Sequence, residues 1–487
     1  RPLPKGPLPL ILPRVAESLK PILVNTEEKN NMAIFDLAII GGGPAGYMAA
    51  EHAGKEGLNV VLFEKRSLGG VCLNEGCIPT KTLLYSAKIY NYGKTGSHYG
   101  VYCENPSVKY DEIVARKDKV VKKLVAGVGY SMKTSKVNVV PAEAFIEGRG
   151  EDGITVSAAG EKYIARNLLI ATGSEALVPP FPGLKEAGDV IVTNREILSL
   201  TEQPGELVVI GGGVIGSEFA AFYNTIGTKV TVIEMMPKIL GPLDNEISSA
   251  LQKIYTRRGV DFRLGCKVTA IEGNSVVYED KEGKVQKVSG DKILVSIGRR
   301  SNIKGIGLEN LGVEAERGIK ADDRMKTNIP NVYVAGDCVG GTPMLAHVAY
   351  REGVVAVNNI LGREDHMRYD AVPSVVYTNP EVAGVGLTEE QAKASGKDYE
   401  VVKLPMTFAG RYVAENEGTD PSLCKVIVGK KYHEVLGVHM LGNPSSEIIY
   451  GACLAIESEM TLEQLQEVIF PHPTVSEIIR EAAFQIK

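Results

Sequence analysis

The chain has 487 residues, 44% of them hydrophobic and 23% charged, and a net charge of −5. That length suggests about three domains with ample chain for buried cores, and the near-neutral balance excludes a charge-driven binder of nucleic acid or membrane surfaces. The seven cysteines are scattered and odd in number, which excludes a secreted disulfide framework, and no apolar run approaches a membrane span. A reducing, cytoplasmic setting is therefore expected, where a disulfide serves catalysis more often than structure.

Residues 1–31 are punctuated by Pro2, Pro4, Pro7, Pro9, Pro13 and Pro21 and read as an extended tail or linker outside the fold. They lack the basic flank, apolar core and cleavage site of a signal peptide. Met32, just before the first strand, is a candidate original start. Residues 34–40 are a short apolar run of the kind found in buried parallel strands. Gly41-Gly42-Gly43-Pro44-Ala45-Gly46 follows, then an Ala-rich helical stretch to residue 55 and a second strand over 60–63 ending on Glu64. Strand, glycine turn, helix, strand and acid form the dinucleotide-binding fingerprint in its required context. Gly41 permits the tight turn, Gly43 lets the backbone approach a pyrophosphate, Gly46 packs helix on strand, and Glu64 can accept from a ribose hydroxyl.

The next stretch is Gly69-Gly70-Val71-Cys72-Leu73-Asn74-Glu75-Gly76-Cys77-Ile78-Pro79-Thr80-Lys81, with two cysteines five apart and a helical run over 81–89. A thiolate near a helix N-terminus is activated, and Lys81 sits one turn beyond Cys77 if the helix includes that cysteine. Three readings stand side by side: a redox-active Cys72–Cys77 disulfide, two buried apolar cysteines, or half a zinc site, for which no second ligand pair exists. The lysines of 105–125 are interleaved with acids and lack stacking aromatics, so they read as one face of a solvated amphipathic helix.

The segment 168–174 is a buried strand ending in Thr172-Gly173-Ser174. The fingerprint then recurs as a strand over 207–210, Gly211-Gly212-Gly213-Val214-Ile215-Gly216, a helix, and a strand ending on Glu234. Both the first glycine and the acid recur at an offset of 170 residues, so two dinucleotide sites are expected. Residues 331–337 form another strand ending on Asp337, at the carboxyl end where open α/β sheets bind ligands. From about residue 371, strands over 374–377, 399–404, 424–428 and 435–440 alternate with helices over 389–395, 446–458 and 462–469, an α+β pattern. Near its end, His472 stands five residues before Glu477, a spacing suited to a general base oriented by an acid.

Together these stretches make the chain, from about residue 33 onward, similar to the pyridine nucleotide–disulphide oxidoreductases, and most similar to their lipoamide branch, which Leu73-Asn74 and Thr80-Lys81 match. The resemblance implies an α/β fold with two Rossmann-like dinucleotide-binding domains, for FAD and NAD, plus a C-terminal α+β dimerisation domain. The expected division is a tail at 1–31, an FAD domain at 32–174, an NAD domain at 175–299, a central segment at 300–370 completing the FAD site, and an interface domain at 371–487. By position, FAD would be held by Gly41, Gly43, Pro44, Ala45, Gly46, Glu64, Lys65, Gly70, Val71, Cys72, Lys81, Ala144, Thr172, Gly173, Ser174, Asp337, Met344, Leu345, Ala346 and His347. NAD would be held by Gly211, Gly213, Val214, Ile215, Gly216, Glu234, Val268 and Gly298. Glu234 favours NAD over NADP, because its charge repels a 2′-phosphate. No metal is expected.

The resemblance also implies a reaction. His472, oriented by Glu477 and supplied by the partner subunit of a homodimer, would deprotonate a dihydrolipoyl thiol. That thiolate would attack Cys72 and free Cys77, which passes electrons to FAD, and FAD reduces NAD⁺. Lys81 would lie by the flavin and pair with Glu218. The implied partner is a lipoyl-bearing protein of a 2-oxo acid dehydrogenase or glycine cleavage complex, with no role for nucleic acid or membrane. Two positions depart from the common pattern, Phe470 in place of a histidine and Ser301 in place of a proline, and neither carries a chemical role. The rival readings are a related NAD(P)H-dependent disulfide reductase and a non-catalytic flavoprotein subunit. Retention of Cys72, Cys77, Lys81, His472 and Glu477 together argues against the latter.

Overall fold

A computed structural model describes residues 34–416 and 420–486, so the expectations for the 1–31 tail and Met32 lie outside the described residues. The strand Ile34–Ile40 stands at the centre of the first sheet, with Val60–Phe63 and Asn138–Val140 on one side and Glu161–Ile170 on the other. All of these pairings are parallel. Glu161–Ile170 is long enough to serve two neighbours. Its first half pairs antiparallel with Ile154–Ala158, and its last three residues pair parallel with Val332–Val334. Residues 300–370 thus contribute a strand to the first sheet, Val332–Val334, whose end stands beside the end of Glu161–Ile170, with Asp337 three residues further on.

Burial on both faces explains the unbroken apolar run of the central strand. Leu37 and Ile39 pack with Ala45, Ala49 and Ala53 of the helix Pro44–Lys55 and with Val348 and Val355 of Ala346–Ile360. Ala38 and Ile40 pack on the opposite side with Ile146, Ile154 and Val156 from the antiparallel strands. The two helices approach so closely that a Cβ on Gly353 would stand 2.7 Å from the Ala45 carbonyl oxygen.

The second sheet repeats the plan. Asp261–Leu264, Lys229–Glu234, Glu206–Ile210, Lys292–Val295 and Ile191–Val192 lie in that order, all parallel. The helices Val214–Thr225 and Asn245–Arg257 cover one face and an antiparallel sheet of three strands over 267–289 covers the other. The duplication therefore reaches beyond the glycine motifs to the layers around them. Antiparallel pairing of Arg299–Ser301 with Ser174–Ala176 stitches the two units together.

The C-terminal unit is an antiparallel sheet of five strands, Ser374–Val376, Val382–Gly386, Val435–Leu441, Leu423–Gly429 and Tyr399–Leu404 in spatial order, flanked by Ser445–Glu457 and the last helices. The strand Val382–Gly386 was not expected. Its sequence, Val-Ala-Gly-Val-Gly, breaks the usual alternation because Gly384 makes room for a ring: a Cβ there would lie 2.5 Å from His439 Nδ1. Near the cysteines the helix is Cys77–Thr95, longer than the expected 81–89, and the short helix Gly70–Glu75 precedes it. Pro79 falls in its first turn, where no backbone donor is needed. Lys117, Lys119, Lys122 and Lys123 lie on Tyr110–Thr134, an amphipathic helix of 25 residues, but Lys117 is buried rather than on the solvated face. Among the described residues no helix is long and apolar enough to cross a membrane, and no cluster could hold a metal ion.

Candidate active site

Both glycine turns show the steric demands that their motifs announce. Gly41 has φ +110° and Gly211 has φ +104°, a region closed to most side chains. A Cβ on Gly46 would fall 1.8 Å from the Gly41 carbonyl oxygen, and one on Gly216 would fall 2.0 Å from that of Gly211, so these glycines allow helix to touch strand. The middle glycines differ. A Cβ on Gly43 would meet only Gly70 Cα at 3.8 Å, and one on Gly213 would meet nothing within 4 Å. The fold itself does not require glycine there, and the space left lies at a helix N-terminus, a place suited to an approaching phosphate.

The acids repeat as faithfully. Gly42 N donates to Glu64 Oε2 at 2.8 Å and Arg66 N to Oε1 at 2.8 Å. Gly212 N donates to Glu234 Oε2 at 2.6 Å and Met236 N to Oε1 at 2.7 Å. Each carboxylate is thus aimed at the mouth of its own turn while lone pairs remain for a ribose hydroxyl.

Both turns open into one cleft of about 2200 Å³. The helix Gly70–Glu75 begins against the first turn, since a Cβ on Gly70 would stand 2.7 Å from Gly43 Cα. Cys72 and Cys77, thiols here, both line the cleft. Cys77 is the first residue of a 19-residue helix, so its sulfur sits where a helix favours negative charge. The Cys72 thiol hydrogen-bonds Cys77 and, with Lys81 and against the effect of burial, lowers the Cys77 pKa to about 7. The same hydrogen bond and burial push Cys72 up. The helix N-terminus and Lys81 thus favour the negative charge on Cys77 rather than Cys72.

Lys81, one turn along from Cys77, donates to both carboxylate oxygens of Glu218 at 3.0 and 2.9 Å. Glu218, buried at 3% exposure, also accepts from Tyr377 N at 3.0 Å. The Lys81 ammonium lies 4.6 Å from the Tyr377 ring centre. Burial alone would depress the Lys81 pKa, but Glu218 and the Cys77 sulfur outweigh it and raise it, so the cation persists beside the thiolate. The lysine comes from the cysteine helix, the acid from the second dinucleotide helix and the tyrosine from the C-terminal unit.

Asp337 accepts from Ser174 Oγ at 2.5 Å. Lys65, Ala144, Thr172, Gly173, Met344, Leu345, Ala346 and His347 line the same cleft, as do Val268 and Gly298. Lys65 reaches Glu143 at 2.6 Å. His472 and Glu477 are joined to one another but not to this cleft. His472 Nδ1 lies 3.0 Å from Glu477 Oε1, Thr474 N donates to Oε2 at 2.9 Å, and the histidine side chain is 80% exposed while its acid is nearly buried. The Thr474 hydrogen bond, then that of His472, holds the Glu477 carboxyl below the usual range.

Four residues bonded around the site, Arg299, Glu352, Tyr47 and Tyr350, were missed by sequence reasoning. Arg299, half-buried, gives Nε to Ser174 Oγ at 2.7 Å and Nη2 to Ser174 O at 2.9 Å, bracing the loop that holds Asp337; its only signal was adjacency to Gly298. Glu352, wholly buried, accepts from Gly336 N at 2.6 Å and from Tyr369 OH at 2.8 Å. Tyr47 and Tyr350 share a 2.7 Å hydroxyl contact close enough to the cysteines to feel their charge. No motif announced Glu352 or the Tyr47–Tyr350 pair.

A family model described as pyridine nucleotide-disulphide oxidoreductase matches residues 35–353, and the dimerisation domain of the same family matches residues 372–483. The dihydrolipoyl dehydrogenase of Rhizobium etli is 40% identical over 472 residues, covering 92% of this chain and 97% of that protein. Dihydrolipoyl dehydrogenase 3 of Pseudomonas putida is 39% identical, covering 93% and 98%. The mitochondrial dihydrolipoyl dehydrogenase of Homo sapiens is also 39% identical, covering 92% and 89%. Among solved structures, LpdA from Mycobacterium tuberculosis superposes with a TM-score of 0.85 at 25% identity, covering 93% of this chain and all of that one. The HOCl-induced flavoprotein disulfide reductase RclA from Escherichia coli superposes with a TM-score of 0.81 at 28% identity, covering 93% of this chain and 100% of that one.

Proposed function

Because the chain belongs to the pyridine nucleotide–disulphide oxidoreductase family, we propose that it oxidises protein-bound dihydrolipoyl groups through a Cys72–Cys77 disulfide and reduces NAD⁺. The observation that carries this reading is the single cleft onto which both dinucleotide turns and both cysteines open. The cofactors are FAD and NAD. The residues fit them: Gly43 and Gly213 leave space that a Cβ would fill, each beside a helix N-terminus and a pinned acid. Bound FAD supplies a two-electron relay between the dithiol and NAD⁺.

The protein's own residues do the rest. His472 of a second copy, its Nδ1 held by Glu477, takes the proton from one substrate thiol. The resulting thiolate attacks Cys72; the Cys72–Cys77 bond breaks and Cys77 leaves as a thiolate, which suits the sulfur whose pKa is lowered. The second substrate thiol then attacks its partner sulfur, closing the lipoyl disulfide and releasing Cys72. Lys81, kept cationic by Glu218, neutralises the Cys77 charge next to the first turn. Since His472 stands exposed and does not line the cleft of its own cysteines, the catalytic set is completed across a homodimer built by the dimerisation domain. The partner is a lipoyl-bearing protein of a 2-oxo acid dehydrogenase or glycine cleavage complex, in the cytoplasm. Rates with dihydrolipoamide and NAD⁺ are compared with rates for glutathione disulfide and NADPH. A preference for the second pair would replace this reading with that of another disulfide reductase.

A further inference from the structure

The loop between the cysteines must hold two sulfurs in register for exchange, and its residues are tied in two different ways. Leu73 is buried, and Asn74 Nδ2 donates to the carbonyls of Leu68 and Gly70 at 3.1 and 2.9 Å, all within the first unit. Glu75 is tied from outside that unit. Arg195 Nε lies 2.8 Å from its carboxylate, and Asn194 Nδ2 donates to its backbone carbonyl at 2.7 Å. Arg66 adds a weaker contact at 3.5 Å.

Asn194 and Arg195 open the short helix Asn194–Ile197, which follows the edge strand Ile191–Val192 of the second sheet. That helix is itself fixed. Thr193 and Glu196 form a reciprocal capping box, and Ile197 is wholly buried. We propose that Asn194 and Arg195 are positioning residues of the second dinucleotide unit that register the loop between Cys72 and Cys77 through Glu75. This rests on the redox reading of the two cysteines. A side-chain ion pair and a backbone hydrogen bond on one residue fix both its place and its orientation. Arg195 and Glu75 side chains are 45% and 21% exposed, and pairs so exposed contribute little to folding. The effect of losing the clamp therefore falls on sulfur geometry, where small displacements are costly to rate.

The test compares the FAD-loaded wild type with Arg195→Met, Glu75→Arg and the charge-swapped double variant Glu75→Arg/Arg195→Glu. Each single variant is expected to lose about tenfold or more in dihydrolipoamide kcat. NADH oxidation by an artificial acceptor, flavin content and melting temperature should stay near wild type. The rate at which iodoacetamide alkylates the dithiothreitol-reduced protein should shift several-fold in the single variants. The swapped variant should return both dihydrolipoamide kcat and alkylation rate to within about threefold of wild type, as restored coupling between neighbours requires. Single variants with unchanged kcat and alkylation, or a swap no better than the singles, would overturn the proposal. If the wild type itself does not oxidise dihydrolipoamide, the proposed function fails, while the alkylation series still decides on the clamp.

Discussion

Lys425 and Asp244 meet in full burial, the ammonium 2.9 Å from each carboxylate oxygen. Asp244 caps the helix Asn245–Arg257 of the second dinucleotide unit, accepting from Glu246 N and Ile247 N, while Lys425 stands on the strand Leu423–Gly429 of the C-terminal sheet. Glu389 and Glu246 complete the ring around the ammonium at 2.8 and 3.0 Å. Replacing Lys425 with Met would leave the buried Asp244 carboxylate without its cation, while Glu246 and Glu389 keep Lys403 at 2.9 and 3.1 Å, and should destabilise the protein by roughly 3–5 kcal/mol. Asp244→Asn, which keeps an oxygen for the cap, should cost less. Urea unfolding of the two variants checks this order; equal losses would contradict it.

Glu352 holds its proton to about pH 7, because burial raises its pKa further than its hydrogen bonds from Gly336 and Tyr369 lower it. The unfolded carboxyl ionises near its ordinary value. Between that value and about 7 the native state binds the extra proton, so stability should fall as pH rises through this window, by about 3 kcal/mol in total. Glu352→Gln keeps an acceptor for Gly336 N and removes the titration. It should flatten the slope and be more stable than wild type at pH 8. Identical pH profiles for variant and wild type in thermal unfolding would refute this.

The helix N-terminus and Lys81 favour a thiolate at Cys77 over Cys72, so their serine variants should differ. Cys72→Ser should show a long-wavelength charge-transfer band against the flavin without added reductant, and Cys77→Ser should not. Both should lose dihydrolipoamide turnover, since exchange needs both sulfurs, yet keep NADH oxidation by artificial acceptors. The band in Cys72→Ser should fade as falling pH protonates the Cys77 thiolate. Adding Lys81→Met should move that titration to higher pH, because the lysine lowers the Cys77 pKa. A band confined to Cys77→Ser would reverse the two roles.

Glu234 is pinned by two backbone donors at the mouth of the second turn and cannot swing aside readily for a phosphate. The expected preference is at least about tenfold for NAD⁺ over NADP⁺ in kcat/KM, a difference of ~1.4 kcal/mol. Glu234→Ala should shrink that ratio mainly by weakening NAD⁺ binding. Equal kcat/KM for the two nucleotides in the wild type would contradict the assignment.

What could be read in one dimension was whatever local sterics write into neighbouring residues. Gly41, Gly46, Gly211 and Gly216 are demanded by positive φ or by a carbonyl at about 2 Å, constraints that act within six residues. Glu64 and Glu234 close hydrogen bonds to the turn one βαβ unit away. Cys77 and Lys81 share a helix face, and His472 and Glu477 share a turn, through spacing alone. The Lys81–Glu218 pair spans 137 residues and was available only as an expectation from resemblance. Gly336–Glu352, Glu75–Arg195 and Asp244–Lys425 had no signature at all. Each joins groups whose neighbours in the chain are unremarkable, and their meeting depends on how helices and sheets pack. The same holds for Val382–Gly386, where a distant imidazole dictates the glycine. Conformational limits belong to a residue and its neighbours, whereas charge pairing, burial and the pKa shifts that follow belong to a position in space, which only the folded chain defines.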